Sequence, residues 1–270
     1  MLPSLKRNWN KYGAVATLAP KYFLAYRGWV WLELFVRALA MTIFYFFWNA
    51  VYAHNSTIGG LDLRQTLNYI LLAQSIGDIA GSDAIWTIGS LMREGLIGIE
   101  LLRPVDFQLT RYLFSLMDML VALIVSIPLL LLGVLAFGLQ LPTDPLVWLA
   151  YLIALVLGHA AQYMFMWIIA CAGFYTTEIW GLSVLVWSIR NFLSGALLPL
   201  SMFPAWLLLI ASAVPFAQAL FVPVSILSGV TPLAAAPRLW LIQIGWLLAL
   251  FFVSRLVFRV AVRRVTVQGG

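Results

Sequence analysis

The chain has 270 residues, 63% of them apolar and 10% charged, where a soluble domain is about half apolar and a quarter charged. That balance excludes a soluble enzyme, a disordered tail and a secreted disulfide scaffold. At about 20 residues per helical crossing it leaves room for roughly six to eight spans and little soluble mass. The net charge of +6 is read as lysine and arginine gathered on cytoplasmic loops, not as a nucleic-acid surface.

Residues 1–30 carry Lys6, Arg7, Lys11, Lys21 and Arg27, while Tyr12, Val15, Ala19, Tyr22, Phe23 and Tyr26 recur at helical spacing. This predicts an interfacial helix on the cytoplasmic leaflet, kinked near Pro20. It is not a cleavable signal peptide, because the charges are not followed by an uninterrupted apolar core. The first span is expected over 31–53, a polar turn over 54–60, and a second, less apolar span over 65–88. Residues 89–111 are charged and cannot cross. The third span is expected over 112–138, the fourth over 146–171, the fifth over 180–198 and the last over 239–260. Short turns cover 140–145 and 173–178.

Residues 199–237 are apolar but punctuated by Pro199, Pro204, Pro215, Pro223, Pro232 and Pro237. The pieces 203–214 and 216–227 are each about 12 residues, or roughly 18 Å of helix, against a hydrocarbon core of about 30 Å. Joining them into a seventh span would export Arg255, Arg259, Arg263 and Arg264, away from the N-terminal cations and Arg93, Arg103 and Arg111. That breaks the positive-inside rule; with six spans only Arg64 and Arg238 lie outside. The expected fold is therefore all-α and polytopic. It has six transmembrane helices, an N-terminal interfacial helix, a cytoplasmic helix within 89–111, two short re-entrant outer helices over 199–237, and both termini cytosolic. Residues 1–270 form one transmembrane domain.

Chemical motifs are mostly absent. None of Lys6, Lys11 and Lys21 follows a glycine, so no GxxxxGK[ST] loop can cradle ATP phosphates. HExxH and GxSxG are missing. The single Cys171 permits neither an internal disulfide nor a CxxC motif, and His54 and His159 are too few for a multi-haem protein. His159, with Gln162 nearby, reads first as a hydrogen-bonded packing residue, and Asp118 as either a helix-pairing or a functional carboxylate.

Polar residues within spans are the candidate substrate path. Arg190 and Asn191 fall in the fifth span; a mid-membrane arginine costs ~2.5–3.5 kcal/mol on insertion scales and persists only against protein or water. Arg37 lies in the first, with Glu33 four residues before it as a possible pair. On the second, Asn68, Gln74, Ser75, Asp78 and Ser82 fall within an arc of roughly 120° at 100° per residue. A structural pair between Asp78 and Arg190 is the competing reading, and both can hold.

Residues 92–108 resemble the cytoplasmic loop between the second and third spans of ABC-2 type exporter permeases, the six-span kind made beside a separate ATPase. Glu94, Gly95, Leu101, Leu102, Arg103, Pro104, Asp106 and Phe107 match the pattern there. A second match runs over 192–204 with Pro215, Phe216, Pro223, Ser228 and Gly229. The resemblance implies that the loop is a coupling helix fitting a groove on the ATPase, with Arg93, Glu94, Glu100 and Arg103 for register. Leu96, Ile97, Leu101 and Leu102 are the apolar anchors, and Pro104 is the helix stop. The bare sequence admits an ordinary solvated loop equally well. The resemblance further implies a lid formed by Pro199, Phe203, Pro204, Pro215, Phe216 and Pro223. It also implies two ABC ATPase subunits that bind ATP and Mg, a second permease (identical or homologous), no cofactor in this chain and no nucleic-acid partner. The location is a bacterial inner membrane. The cargo is expected to be a small amphipathic, drug-like compound, with lipid or polysaccharide second. A proton-coupled secondary transporter would need midplane carboxylates, which Asp78 supplies, and an inverted repeat, which is not visible. An intramembrane enzyme would need a catalytic cluster that cannot be assembled.

Overall fold

The computed structural model describes residues 27–82, 84–176 and 179–264. The interfacial helix expected over 1–30 lies outside them except for its last four residues, which open α1 (Arg27–Tyr52). The chain then turns through an Ile58–Leu61 pair into α2 (Leu63–Ile76). Asp62 accepts the Gln65 N–H at 2.7 Å while the Gln65 side chain accepts the Asp62 N–H at 3.1 Å, a capping box that satisfies two otherwise orphaned donors.

The second expected span is not continuous. α2 ends at Ile76, passes through a 3₁₀ turn (Gly77–Ala80) and resumes as α3 (Ala84–Arg93). Gly77, Asp78, Gly81 and Ser82 are all weak helix formers. With 14 residues, α2 is about 21 Å long, too short to cross alone. After a short α4 (Ile97–Leu101), α5 (Phe107–Phe137) begins five residues earlier than the 112–138 expected. The cause is Asp106, whose carboxylate accepts the Leu109 N–H at 2.7 Å and fixes the first turn.

Asp144 caps α6 (Pro145–Ala170), which a 3₁₀ turn (Cys171–Phe174) extends. α7 (Trp180–Leu193) stops five residues before the end of the expected fifth span. Then come a 3₁₀ turn (Leu200–Met202), α8 (Ala205–Ser212), α9 (Phe216–Ala219), α10 (Phe221–Leu227), a 3₁₀ turn (Leu233–Ala235) and α11 (Ala236–Val262). The prolines place the breaks: Pro204 and Pro215 directly precede α8 and α9.

Among the described residues, four helical stretches are long and apolar enough to cross a membrane: Val30–Tyr52, Phe107–Phe137, Pro145–Phe174 and Leu233–Val262. A fifth is reached if Ala205–Ser212 and Phe216–Leu227, bent by 76°, count as one. The all-α polytopic architecture is as expected. The second and fifth of the six expected spans are replaced by the broken α2–α3 and the short α7.

α6 is the axis of the bundle, with 61% of its most apolar window buried against 17% for α5 and α11 and 6% for α1. Its small residues Ala150, Ala154, Gly158 and Ala161 let other backbones approach closely. A Cβ on Gly158 would lie 2.3 Å from the Gln218 carbonyl oxygen and 2.8 Å from Ala219 Cα. Phe216 rests edge-on against Phe165 at 5.2 Å between ring centres. The short helices thus reach past the midpoint of α6. Irregular backbone survives there because side chains satisfy it: Gln243 of α11 donates to the Gln218 carbonyl at 2.7 Å and to that of Ala154 at 2.8 Å.

The bundle has two unlike ends. Residues 94–106 and the C-terminal turns of α11 make one, the loop end, with Arg93, Arg103, Arg111, Arg255, Arg259, Arg263 and Arg264. The opposite end, at the turns 53–62, 138–144 and 228–235, holds Arg64 and Arg238.

Candidate functional site

The loop end is built by its caps. At the end of α3 the Leu96 N–H donates to the Leu91 carbonyl at 2.9 Å and the Gly95 N–H to that of Met92 at 3.2 Å, a Schellman closure. It needs a left-handed residue, supplied by Gly95 at φ +69°. α4 then ends at Leu101, two residues before Arg103 and three before Pro104. Arg93, Glu94 and Arg103 are exposed.

Glu100 behaves differently from the register charge expected of it. It is mostly buried and bridges inward, accepting from Arg111 at 2.6 Å and from Arg103 at 2.9 Å. Arg111 also stands over the rings of Phe107 and Phe114 at 5.4 and 5.6 Å. Of the expected anchors, Ile97 and Leu101 face the bundle, where they pack against its core. Leu96 and Leu102 face out. They are joined by Ile99 and Val105, so that Leu96 (41% exposed), Ile99 (60%), Leu102 (85%) and Val105 (37%) form an uncovered apolar face. Neither Ile99 nor Val105 was among the expected anchors; the three-residue spacing of the four was the available signal.

Below this face, Asp106 pairs with Arg255 of α11. Partial burial raises the Asp106 carboxyl, but the hydrogen bond and charge of Arg255 and the N–H groups of Leu109 and Gln108 outweigh it, holding the group below the usual carboxylate range. One turn further in, buried Gln108 donates to the Ser254 hydroxyl at 2.9 Å and lies 3.2 Å from the Met164 sulfur. Tyr163 donates to the Gln108 carbonyl at 3.3 Å. Phe107 stacks on Phe258 at 5.9 Å and meets Trp167 at 5.5 Å. The loop is therefore fastened to α6 and α11 by groups that sequence reading did not connect, because the partners stand 55 or more residues apart in the chain.

The candidate path residues are dispersed. Asn68 clamps the 138–144 turn, donating to the Gln140 carbonyl at 2.9 Å and accepting its N–H at 2.8 Å. Gln74 donates to the Ala196 carbonyl at 3.0 Å, and Ser75 to the Leu71 carbonyl of its own helix at 2.7 Å. Beside them Tyr69, fully buried, donates to the Gly195 carbonyl at 2.9 Å. These side chains serve backbone groups. Arg37 pairs with Glu33 at 2.9 Å. Arg190 and Asn191 are half-buried at the last turn of α7, not mid-helix, where the positive charge suits the helix dipole. Asp78 stands in the 3₁₀ turn, and its side chain lies outside the described residues. His159 is fully buried, its Nε2 3.3 Å from the Ser115 hydroxyl.

Of the expected lid, Phe203 stacks on Phe192 at 5.7 Å and Phe216 packs on Phe165. Pro199, Pro204 and Pro215 precede helical turns, and Pro223 lies buried within α10. A cavity of about 250 Å³ lies between Ile76, Ile79, Leu123, Ile127, Trp148 and Tyr151, almost wholly apolar and open on one side.

Fold, burial and surface define a multi-pass helical membrane protein, with an exposed apolar face on a rigid loop at its arginine-rich end. The profile of a family described as "ABC-2 family transporter protein" matches residues 38–269, and the chain belongs to that family. It is thus the membrane component of an ABC-type transporter. No curated protein and no solved structure matches it.

Proposed function

We propose that this chain is the permease subunit of an ATP-driven exporter, and that the loop over 89–111 docks on a partner ATPase that binds the ATP and Mg. The reading rests on one observation. Leu96, Ile99, Leu102 and Val105 are exposed together on a loop that a Schellman closure, the Glu100–Arg111 bridge and the Asp106–Arg255 pair hold stiff. An ordinary solvated loop needs neither the apolar face nor the bracing. Arginine enrichment at this end supports a cytosolic loop and cytosolic termini, in a bacterial inner membrane. Two ATPase subunits and a second permease, identical or homologous, complete the assembly. The cargo is a small amphipathic compound. Lipid export is the second reading, favoured over polysaccharide by the apolar cavity beside α5.

The test is Ile99→Asp with Leu102→Asp. Both side chains are exposed, so the isolated chain should keep its stability within about 0.5 kcal/mol. Copurification with the ATPase and stimulation of ATP hydrolysis should both fall sharply. Glu94→Arg and Arg103→Glu should also uncouple, since charge at a docking surface sets register and on-rate. Wild-type complex formation by the double aspartate variant would leave the loop without a docking role.

A further inference from the structure

α11 joins the docking loop to the re-entrant helices at the far side of the bundle. Its buried residues beyond the first turn are Gln243, Leu250, Ser254 and Ala261. At 100° per residue these fall on one line, and α11 carries no proline beyond Pro237 in its first turn and no break. Two of the four are polar: Gln243 opens the stripe, and Ser254 lies about two turns before its last residue, Ala261. Ser254 takes Gln108 at 2.9 Å, next to the Asp106–Arg255 pair. Gln243, 11 residues or roughly 16 Å earlier along the axis, holds the Gln218 carbonyl at the turn of the re-entrant helices at 2.7 Å.

We propose that α11 is a connecting rod. Displacement of the docking loop is carried through Gln108–Ser254 and Asp106–Arg255 to α11, and from α11 through Gln243–Gln218 to the re-entrant helices. Gln108, Ser254 and Gln243 are positioning residues for transport; none is assigned contact with cargo or nucleotide. Two features separate a rod from simple polar satisfaction. Gln243 is fully buried and spends both amide hydrogens on carbonyls of two different elements, α6 and α9. The Gln218 carbonyl it holds belongs to backbone already pressed on Gly158, so the re-entrant turn cannot shift relative to α11 without losing that bond. The inference rests on the docking reading above.

The experiment uses the complex of this chain with the ATPase that copurifies with it, in proteoliposomes. Cys171, buried, is replaced by alanine, and Ser201→Cys, in the exposed turn beside the re-entrant helices, is labelled by a membrane-impermeant maleimide. The rate is compared without nucleotide and with ATP plus vanadate. In the reporter chain the rate should change on nucleotide trapping. Gln243→Met and Gln108→Met should each lose most of that change while ATP hydrolysis continues, a split that a merely structural role would not give. Leu248→Met, on the exposed face of the same helix, should keep it. Should a glutamine variant fail to assemble, Ser254→Ala removes a single hydroxyl from the same line and should show the same loss. A full nucleotide response in the assembled variants overturns the rod and leaves the docking reading standing. A reporter chain with no response to nucleotide also overturns the rod, while docking stands or falls separately on whether Ile99→Asp with Leu102→Asp loses copurification.

Discussion

The two ends of the bundle solve the same problem in different currencies. Both are irregular backbone at the edge of an apolar slab. At the end opposite the loop, neutral side chains reach across to backbone groups: Asn68 to Gln140, Gln74 to Ala196, Tyr69 to Gly195. Such bonds close the chain on itself. At the loop end the ties are ionic, Glu100 to Arg111 and Asp106 to Arg255, and an apolar face above them stays uncovered. One end is finished by folding. The other is braced by folding and keeps an apolar face exposed.

The largest test of that contrast lies beneath the closed end. Gly158→Val should displace the backbone of Gln218 and Ala219, which is already within 3 Å of where a Cβ would stand. Overpacking typically costs about 1–3 kcal/mol and occasionally more, so a strong loss of monodisperse protein in detergent is expected. Gly245→Ala on α11 meets nothing within 4 Å and should be neutral or stabilising by about 0.5–1 kcal/mol. Similar losses in the two variants would mean that close backbone approach is not what α6 is built for.

Tyr69→Phe comes next. It leaves the Gly195 carbonyl without its buried donor, at a cost of about 1–3 kcal/mol, read as a lowered thermal midpoint with complex formation intact. Glu100→Gln should cost about 1–2 kcal/mol, since a half-neutralised bridge keeps one hydrogen bond to Arg111 but loses its charge. Its signature is the reverse of Tyr69→Phe: docking should suffer more than the isolated chain. Equal damage to both properties by either variant would erase the distinction between the ends.

The smallest effect is a pH dependence at the loop end. The folded state lowers the Asp106 carboxyl, so its contribution is complete above the ordinary aspartate value of about 3.9. It is lost as pH falls through the lower folded value. The midpoint gap between the parent chain and Asp106→Asn should therefore narrow on acidification. With the aspartate side chain 42% exposed, the gap is small and screened by salt. A gap that widens in acid would contradict the assignment.

How legible this was in the sequence follows from which forces act over which range. The long apolar runs at 31–53, 146–171 and 239–260 are helices nearly as expected, because hydropathy over twenty residues outweighs local detail. The prolines of 199–237 announced short helices correctly, since each removes a donor where it stands. The break at Gly77–Ala80 and the early end of α7 were hidden, because a helix in apolar surroundings tolerates isolated glycine until tertiary contact decides. The polar residues of α2 share one habit in the fold. Asn68, Gln74 and Ser75 share a helix face, which suggested a lined path, yet each serves a backbone group. Side-chain partners 70 or more residues distant leave no periodic trace, and the same holds for Gln108 with Ser254.

The Gln243 amide also has a meaning for biosynthesis. The segment 205–227 leaves the ribosome before Ala236–Val262 exists. During that interval the Gln218 carbonyl lacks the donor that completes it at depth. Nascent α8–α10 are expected to settle only once the last helix supplies that donor. The final transmembrane segment is therefore the keystone of maturation. A chain ended after Leu227 should retain its first, third and fourth apolar runs in the bilayer while its short helices stay open to protease.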